Sequence, residues 1–428
     1  MIQNQWLQFA PPPRPLGNQE KWNVFLSYRS INRAWVLNLY DVLTELNHKV
    51  FLDQYVLKPG DYLIKNLEEA LEESQAAVLI WSAATRGSTW VYDEYQFLQQ
   101  KANKDKDFIF VPVTVDGSEP PAFARNRIYV DFSGYPEGPN GGDLLRLLYA
   151  LANKPLSQEA IQFAAAQEEA AAIANAHLNN AKRHNKPDRL LELFHQGGLV
   201  WETSAALGCK TAECLTSLGH NDEAIAVLEA VENTFPKAIR PKQLHGLALA
   251  RRGRDADLEQ AQEILGLLLE KNNLDSETLG IYARTWMDRY KKTHDQTALR
   301  QSRRYYAEAF ERQPYDYYTG INAAAKSVFL GEMDKAMEYL QRVETIVGDK
   351  PVRDDYWKTA TVAEVLLIKK QYPAAADMYR QAVDMAPGEK GSILSTWGQA
   401  ALLLEALGAN EKETAQLRTA FKDYLPQG

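Results

Sequence analysis

The pattern of apolar residues divides the chain into two parts with different periodicities. Up to about residue 154, short apolar runs alternate with segments whose apolar residues recur at helical spacing. The clearest run is Ala76–Trp81 (AAVLIW), which is continuous and is typical of a strand covered on both faces. Beyond Pro155 such runs disappear, and alanine-rich amphipathic segments continue to the end. The pattern predicts a parallel α/β domain followed by an all-α domain.

The first part contains five predicted strands separated by amphipathic helices. The strands are predicted at 22–28, 49–53, 76–81, 108–115 and 127–131. The helices are predicted at 33–46 and 62–74, after residue 88, and near 143–152. Residues 1–20 contain Pro11, Pro12, Pro13 and Pro15 without periodicity, and they predict a flexible tail.

The segment after the third strand carries the strongest chemical signal. Ser88 or Thr89 can cap a helix in which Trp90 and Glu94 share one face at positions i and i+4. Ligands of doubly wound sheets bind at the carboxyl ends of the strands, and this helix begins just beyond such an end. The aromatic ring could wall a pocket into which the carboxylate points. The simpler interpretation is a core tryptophan beside a solvated glutamate.

Three sequence boxes in this order resemble the Toll/interleukin-1 receptor (TIR) domain family. They are FLSYRS, FLDQYVLKPGD and VLIWSAATRGSTWVYDEY, and the resemblance covers residues 21–154. It implies a flavodoxin-like fold with a five-stranded parallel sheet. Members of the family are either adaptors that only assemble or enzymes that break the bond between nicotinamide and ribose in NAD+, so the resemblance leaves both functions open.

The resemblance also implies roles for particular residues. In the enzymes a glutamate in a W-x-x-x-E arrangement is catalytic, and that arrangement falls here on Trp90 and Glu94. The nucleotide pocket would be lined by Tyr28, Arg29, Ser30, Arg33 and Trp90. The turn Lys58-Pro59-Gly60 would gate the pocket and contact neighbouring domains. Asn32 departs from many bacterial relatives, which have an acidic residue there. NAD+ would be a substrate, and no cofactor is expected.

The second part shows weak self-similarity with a period of roughly 34–41 residues. Each unit has a small residue, a large apolar or aromatic residue four later, and a small or apolar residue three after that. The triads are Ala224, Leu228 and Val231; Ala261, Leu265 and Leu268; Ser302, Tyr306 and Ala309; Ala336, Leu340 and Val343; and Ala375, Tyr379 and Ala382. The series resembles tetratricopeptide (TPR) repeats, a helical solenoid with a concave binding surface.

The expected organisation is a tail at 1–20, a TIR domain at 21–154, a helical connector at 155–197 and a TPR-like domain at 198–428. A protein or small-molecule trigger is expected on the repeats. Tyr315, Tyr317 and Tyr318, with Arg300, Arg303 and Arg304, could line a binding face. Packing and solvation explain these residues more simply, so no ligand site is assigned to them.

Composition narrows the choice of partners. The net charge of −8 and the lack of a basic stripe argue against general nucleic-acid binding. No apolar run is long enough to cross a bilayer, and we identify no signal peptide, so no membrane partner is expected. Cys209 and Cys214 are the only cysteines, and the seven histidines lack ligand spacing, so we expect no metal and a reducing cytoplasm.

The sequence thus predicts a cytoplasmic NAD+ glycohydrolase that is activated by assembly of its TIR domains or by a trigger on the repeats. From the resemblance, its expected role is antiphage defence by NAD+ depletion. Two alternatives stay open. One is a non-catalytic TIR scaffold, and the other is a TIR cyclase whose ADP-ribose-derived product is a signal.

Overall fold

A computed structural model describes most of the chain and divides it into two compact units. The described residues are 9–28, 32–52, 63–82, 89–119, 128–133, 138–139, 141–270, 274–352 and 355–425. The first unit comprises Met1–Cys214 and Glu223–His245, and the second comprises Leu215–Asp222 and Gly246–Gly428. The chain therefore passes between the units within helices.

The first unit is built on the predicted five-stranded parallel sheet. Its strands are β1 (Val24–Ser27), β2 (Val50–Phe51), β3 (Ala76–Trp81), β4 (Ile109–Thr114) and β5 (Val130–Asp131). The spatial order is β2-β1-β3-β4-β5, and every neighbouring pair is parallel. This is the order of a flavodoxin-like sheet. The predicted fold class is therefore confirmed, and the strands are up to three residues shorter at an end than the sequence pattern predicts.

Four helices connect or follow these strands. They are α1 (Arg33–Glu45), α2 (Leu63–Glu72), α3 (Thr89–Lys104) and α4 (Gly141–Leu151). One face of the sheet packs through Phe25, Ala77 and Leu79 against a cluster that includes residues of α2 and α3. Successive strand residues point to opposite faces, and the intervening Leu26 and Val78 are buried as well. Burial on both faces explains why the strand sequences are continuous apolar runs.

The next six helices follow the sheet, and parts of the last three belong to the second unit. They are α5 (Gln158–Arg183), α6 (Pro187–Gln196), α7 (Leu199–Thr203), α8 (Ala206–Leu218), α9 (Asn221–Thr234) and α10 (Arg240–Arg252). The long helix α5 lies within residues 155–197, where the sequence predicts a helical connector. The Ser157 hydroxyl begins it by accepting a hydrogen bond from the backbone N–H of Ala160 at 3.1 Å.

The second unit consists mainly of helices that follow one another along the chain, and several consecutive helices pack together in pairs. They are α11 (Asp257–Glu270), α12 (Ser276–Thr293), α13 (Gln296–Arg312), α14 (Tyr317–Phe329), α15 (Met333–Val347), α16 (Tyr356–Ile368), α17 (Tyr372–Met385), α18 (Lys390–Ala406) and α19 (Glu411–Arg418), followed by a short 3₁₀ helix, Thr419–Phe421. Aspartates cap several of them: Asp275 accepts from Thr278 N–H at 3.0 Å, and Asp355 from Lys358 N–H at 2.9 Å.

The repeat triads identified in the sequence are all buried. They lie on α9, α11, α13, α15 and α17, which are alternate helices along the chain. Each of the fifteen side chains is between 0% and 4% exposed. The small residues and the large ones between them therefore form the packed face of every second helix, as the repeat interpretation predicts.

Within the described part of the chain, no helix is long and apolar enough to cross a bilayer.

Candidate functional site

The candidate site lies where β1 and β3 end. These two strands are neighbours, with Ser27 of β1 in register with Leu79 of β3. The chain continues from β1 to β2 on one side and from β3 to β4 on the other. The carboxyl ends of β1 and β3 therefore flank the point where the strand order reverses, which is where ligands bind in open α/β sheets.

Two of the predicted pocket residues, Tyr28 and Arg33, lie in the described part of the chain after β1. Tyr28 follows the strand directly and is half-buried, and Arg33 opens α1 with only 7% of its surface exposed. Arg29 and Ser30 lie outside the described residues. A buried arginine at the start of the helix after β1 fits phosphate recognition, because guanidinium donors match phosphate oxygens in pairs.

Asn32 connects the loops that follow the two strands. Its Nδ2 donates a hydrogen bond of 3.1 Å to the hydroxyl oxygen of Ser82, the residue directly after β3. The sequence offered no role for position 32. The contact could not be read from the chain, because it joins residues fifty positions apart.

Helix α3 carries the W-x-x-x-E arrangement. It begins at Thr89, so Trp90 lies in its first turn and Glu94 in its second. Residues four apart on a helix lie on one face, so the predicted common face follows from the backbone. The side chains of both residues lie outside the described part of the structure, as do Lys58, Pro59 and Gly60. Their roles stay predictions.

A buried carboxyl group on α1 is a second polar feature of the first unit. Asp41 is 5% exposed, and its Oδ1 accepts a hydrogen bond of 3.0 Å from the backbone N–H of Ile239. Its Oδ2 accepts a weaker one of 3.4 Å from the N–H of Arg240, the first residue of α10. Asp41 thus caps a helix almost two hundred residues away and fastens α1 to the start of α10.

Burial raises the pKa of Asp41 to about 7, although these two backbone N–H groups and the charges of Lys242 and Arg240 act in the opposite direction. The folded protein therefore binds a proton at Asp41 between about pH 4 and pH 7, where the unfolded chain does not. Because the folded state holds the extra proton, the free energy of unfolding falls as pH rises through this range and is level above it.

We expect Asp41→Asn to remove this pH dependence. From about pH 5 to pH 8 the variant should gain roughly 2–3 kcal/mol of unfolding free energy relative to the wild type. Urea denaturation at both pH values measures the difference. Asp377→Asn is the control, because its side chain is 67% exposed and should show no such change. Equal pH profiles for wild type and Asp41→Asn would contradict a raised pKa.

The second unit contains a separate cavity of about 400 Å³, a volume within the range of small-molecule sites. Its lining comes from the end of α10 and from α12, α13, α14, α16 and α18. Tyr317 and Tyr318, two of the tyrosines considered in the sequence, lie in its wall. Arg303 instead pairs with Glu332 at 3.8 Å. The cavity is therefore lined mainly by residues that sequence reasoning did not single out.

The described residues offer no metal centre. Among them, no group of three or more His, Cys, Asp or Glu side chains is arranged to hold a metal ion. Cys209 and Cys214 are both buried and form no disulfide bond within the described residues, and burial raises the pKa of the Cys209 thiol well above its ordinary value. That thiol is therefore a packed, protonated side chain.

Comparison with known proteins finds a matching family for each of the two parts of the chain. Residues 24–147 match the family described as the TIR domain, and residues 211–327 match the family described as Tetratricopeptide Repeats-Sensor. The protein therefore carries a TIR domain followed by repeats of that sensor type.

Among curated proteins, the chain is similar to the probable 2′ cyclic ADP-D-ribose synthase BdTIR of Brachypodium distachyon. The two are 26% identical over 116 residues, which cover 27% of this chain and 52% of the relative. The chain thus spans about half the length of that curated relative.

Two solved structures are similar to separate parts of the chain. A thermophilic TPR protein of Thermus thermophilus is 18% identical with a TM-score of 0.36, covering 46% of this chain and 97% of that one. The TIR domain of a Toll-related receptor from Hydra magnipapillata is 21% identical with a TM-score of 0.24, covering 26% of this chain and 85% of that one.

Proposed function

We propose that the protein cleaves the bond between nicotinamide and ribose in NAD+. The observation that carries the proposal is the position of Glu94 and Trp90 on α3, the helix that follows β3, because the carboxyl end of β3 neighbours that of β1 at the reversal of strand order. The similarity to a probable 2′ cyclic ADP-D-ribose synthase supports an NAD+-derived substrate.

The chemistry requires few groups. The bond between the ribose C1′ and the nicotinamide nitrogen breaks, and its electron pair neutralises the pyridinium, so nicotinamide leaves without a general acid. The ribose passes through an oxocarbenium-like state, as in other glycoside cleavages. In this proposal the Glu94 carboxylate stabilises that positive charge or accepts a hydrogen bond from a ribose hydroxyl. Arg29 and Arg33 hold the pyrophosphate, and Tyr28 and Trp90 flank the rings.

The ribosyl cation can be captured in two alternative ways, and either one completes the reaction. Water gives ADP-ribose and releases one proton, whereas an oxygen or nitrogen nucleophile of the same molecule gives a cyclised product. The name of the plant relative, a probable 2′ cyclic ADP-D-ribose synthase, supports the second capture. Both products have the same Glu94 requirement in this proposal.

The proposed biological role is antiphage defence in the cytoplasm by consumption of NAD+, with a trigger sensed by the repeats. Physical control would come from self-assembly of TIR domains, with the loop around Lys58, Pro59 and Gly60 completing a neighbour's pocket. This role rests on the family resemblance.

The direct test incubates the purified full chain with NAD+ and resolves the products by mass. Release of nicotinamide supports the enzyme, and the mass of the second product separates hydrolysis, which adds one water, from cyclisation, which adds none. If NAD+ stays intact even when the TIR domains are clustered by a fused oligomeriser, the protein is a scaffold.

If assembly completes the pocket, we expect the rate per protomer to rise with protein concentration. Over about a hundredfold range of concentration, mass action should convert monomers to active oligomers, and the total rate should rise more steeply than linearly. Initial rates measured beside light scattering at each concentration check this. A constant rate per protomer across a range in which oligomers form would contradict control by assembly.

A further inference from the structure

The cavity of the second unit contains two arginines with weak hydrogen bonds, and the charge of one of them, Arg251, is poorly compensated. Nη1 of Arg251 donates to the carbonyl oxygen of Thr216 at 3.5 Å, and Nη1 of Arg284 donates to the hydroxyl of Ser395 at 3.4 Å. Both distances are at the weak limit of hydrogen bonding. Among the described residues, Nε of Arg251 has no hydrogen-bond acceptor. The two guanidinium groups thus keep donors available inside a recess.

The pKa of Arg251 also indicates that its positive charge lacks a close acidic partner in the described part of the chain. Burial lowers its pKa to about 10, and the positive charge of Arg284 acts in the same direction. Tyr318, Tyr356 and Glu389 oppose this without restoring the ordinary value. A partly buried cation that destabilises the fold is expected where it serves binding.

Other charges in the cavity are largely balanced by one another. Lys326, which is 2% exposed, donates to Asn322 Oδ1 at 2.7 Å and to Gln399 Oε1 at 2.9 Å. Gln399 in turn donates to Glu364 Oε1 at 2.9 Å. Burial lowers the pKa of Lys326 and raises that of Glu364, while the attraction between them acts against both shifts.

The remaining acids do not cancel the arginine pair. Asp288 lies 3.5 Å from Nε of Arg284 and 3.4 Å from Nζ of Lys291, so it is shared between two cations. Burial acts to lower the pKa of Arg284, but nearby groups led by Asp288 raise it, so this guanidinium stays charged. Glu277 is the other carboxylate in the lining. With four cationic and three acidic side chains around the cavity, the excess is positive, and it lies mainly at Arg251, because Asp288 pairs with Arg284.

Aromatic side chains form another part of the wall. Trp357 is 42% exposed and lies edge-on to Tyr356, with ring centroids 4.9 Å apart. Tyr318 also lines the recess. A large indole that is left partly open beside available arginine donors can stack on a planar ring, which contributes binding energy without selecting one base.

We propose that this cavity binds a small phosphorylated molecule with an aromatic ring, of the nucleotide class, with phosphate between Arg251 and Arg284 and the ring against Trp357. Paired guanidinium donors suit phosphate oxygens, which accept two parallel hydrogen bonds. The Thr361 hydroxyl donates to the Trp357 carbonyl oxygen at 2.9 Å and can still accept a hydrogen bond from a ribose hydroxyl. The site would serve as the sensor of the repeats, and its occupancy does not depend on NAD+ cleavage.

The test is isothermal titration of the full chain with ADP and ADP-ribose as probes, with inorganic pyrophosphate and adenosine as the separated halves. We expect a phosphorylated nucleotide to bind at least tenfold more tightly than adenosine, and pyrophosphate to bind more weakly than the whole nucleotide. A preference for ADP-ribose over ADP would support the proposal and indicate a ligand with a second ribose.

Variants locate the site. Arg251→Gln and Arg284→Gln should each weaken nucleotide binding at least tenfold. Arg380→Gln is the matched control, because Arg380 is half exposed and pairs only with Asp377 among the described residues. Loss of binding in Arg251→Gln and Arg284→Gln, with binding unchanged in Arg380→Gln, would place the nucleotide in the cavity and not in the proposed NAD+ site.

The melting temperature of Arg251→Gln shows whether Arg251 serves ligand binding or stabilises the fold. Loss of an uncompensated charge should leave the melting temperature of Arg251→Gln equal to or above that of the wild type. If an arginine variant fails to fold, Trp357→Ala still tests the site, because this half-exposed ring should be dispensable for folding and needed for nucleotide binding. Nucleotide affinity unchanged in the folded arginine variants and in Trp357→Ala would overturn the proposal, as would binding of a polyglutamate peptide with none of the nucleotides.

Discussion

Glu94→Gln is expected to lower NAD+ turnover by roughly a hundredfold or more, which corresponds to about 3 kcal/mol of lost transition-state stabilisation. Glutamine keeps nearly the shape of glutamate and removes its charge, so it cannot stabilise an oxocarbenium ion. Glu94 lies in the second turn of α3, beyond the end of β3, and the fold around it depends on the apolar strands. The variant should therefore remain folded while its activity is lost.

A matched control distinguishes catalysis from charge in general. Glu72→Gln makes the same chemical change on an exposed residue at the end of α2, in the same domain. Its NAD+ turnover should equal that of the wild type. Initial rates of nicotinamide release, measured beside circular dichroism of all three proteins, decide the matter. Wild-type turnover by Glu94→Gln would remove Glu94 from the mechanism.

Gly142→Ala is expected to cost several kcal/mol of unfolding free energy in the first unit, because overpacking by one methyl group against backbone is costly. Gly142 lies in the first turn of α4, where a Cβ would overlap the backbone carbonyl of Ala164 on α5. The neighbouring side chains Leu145, Ala160 and Ala164 are almost fully buried. The helices can separate only by opening this packed cluster.

The control for Gly142 is the same substitution at Gly266. That glycine lies inside α11, and a Cβ there would meet no atom within 4 Å. Gly266→Ala should raise stability by about 0.5–1 kcal/mol, because alanine loses less conformational freedom on helix formation. Thermal and urea unfolding of both variants tests the pair. Equal effects at the two sites would contradict close packing of α4 on α5.

Regular elements with long or repeated patterns were predictable from the sequence. Strand β3 has the predicted limits, Ala76 and Trp81, because a strand buried on both faces must be apolar at every position. The repeat triads were predictable for a related reason, since close helix packing requires a small residue at the same place in each repeat. The predictions were least accurate at strand ends, such as β2, where only Val50 and Phe51 pair in the described sheet.

The sequence predicts Glu94, Trp90 and the residues after β1 from local motifs, and their roles stay predictions. The strand order adds that the carboxyl ends of β1 and β3 are neighbours. The contact between Asn32 and Ser82 was not predictable, because its energy depends on which loops the sheet brings together.

The sequence by itself determined the class of each part of this protein, because apolar periodicity and repeated small residues are local consequences of burial in strands and helices. Only the tertiary structure decided that Asp41 of α1 caps α10, and that Arg251 and Arg284 share one cavity. The pKa of a carboxyl or guanidinium group depends on solvent exclusion and on charges brought close by folding. Neither is encoded by neighbours along the chain.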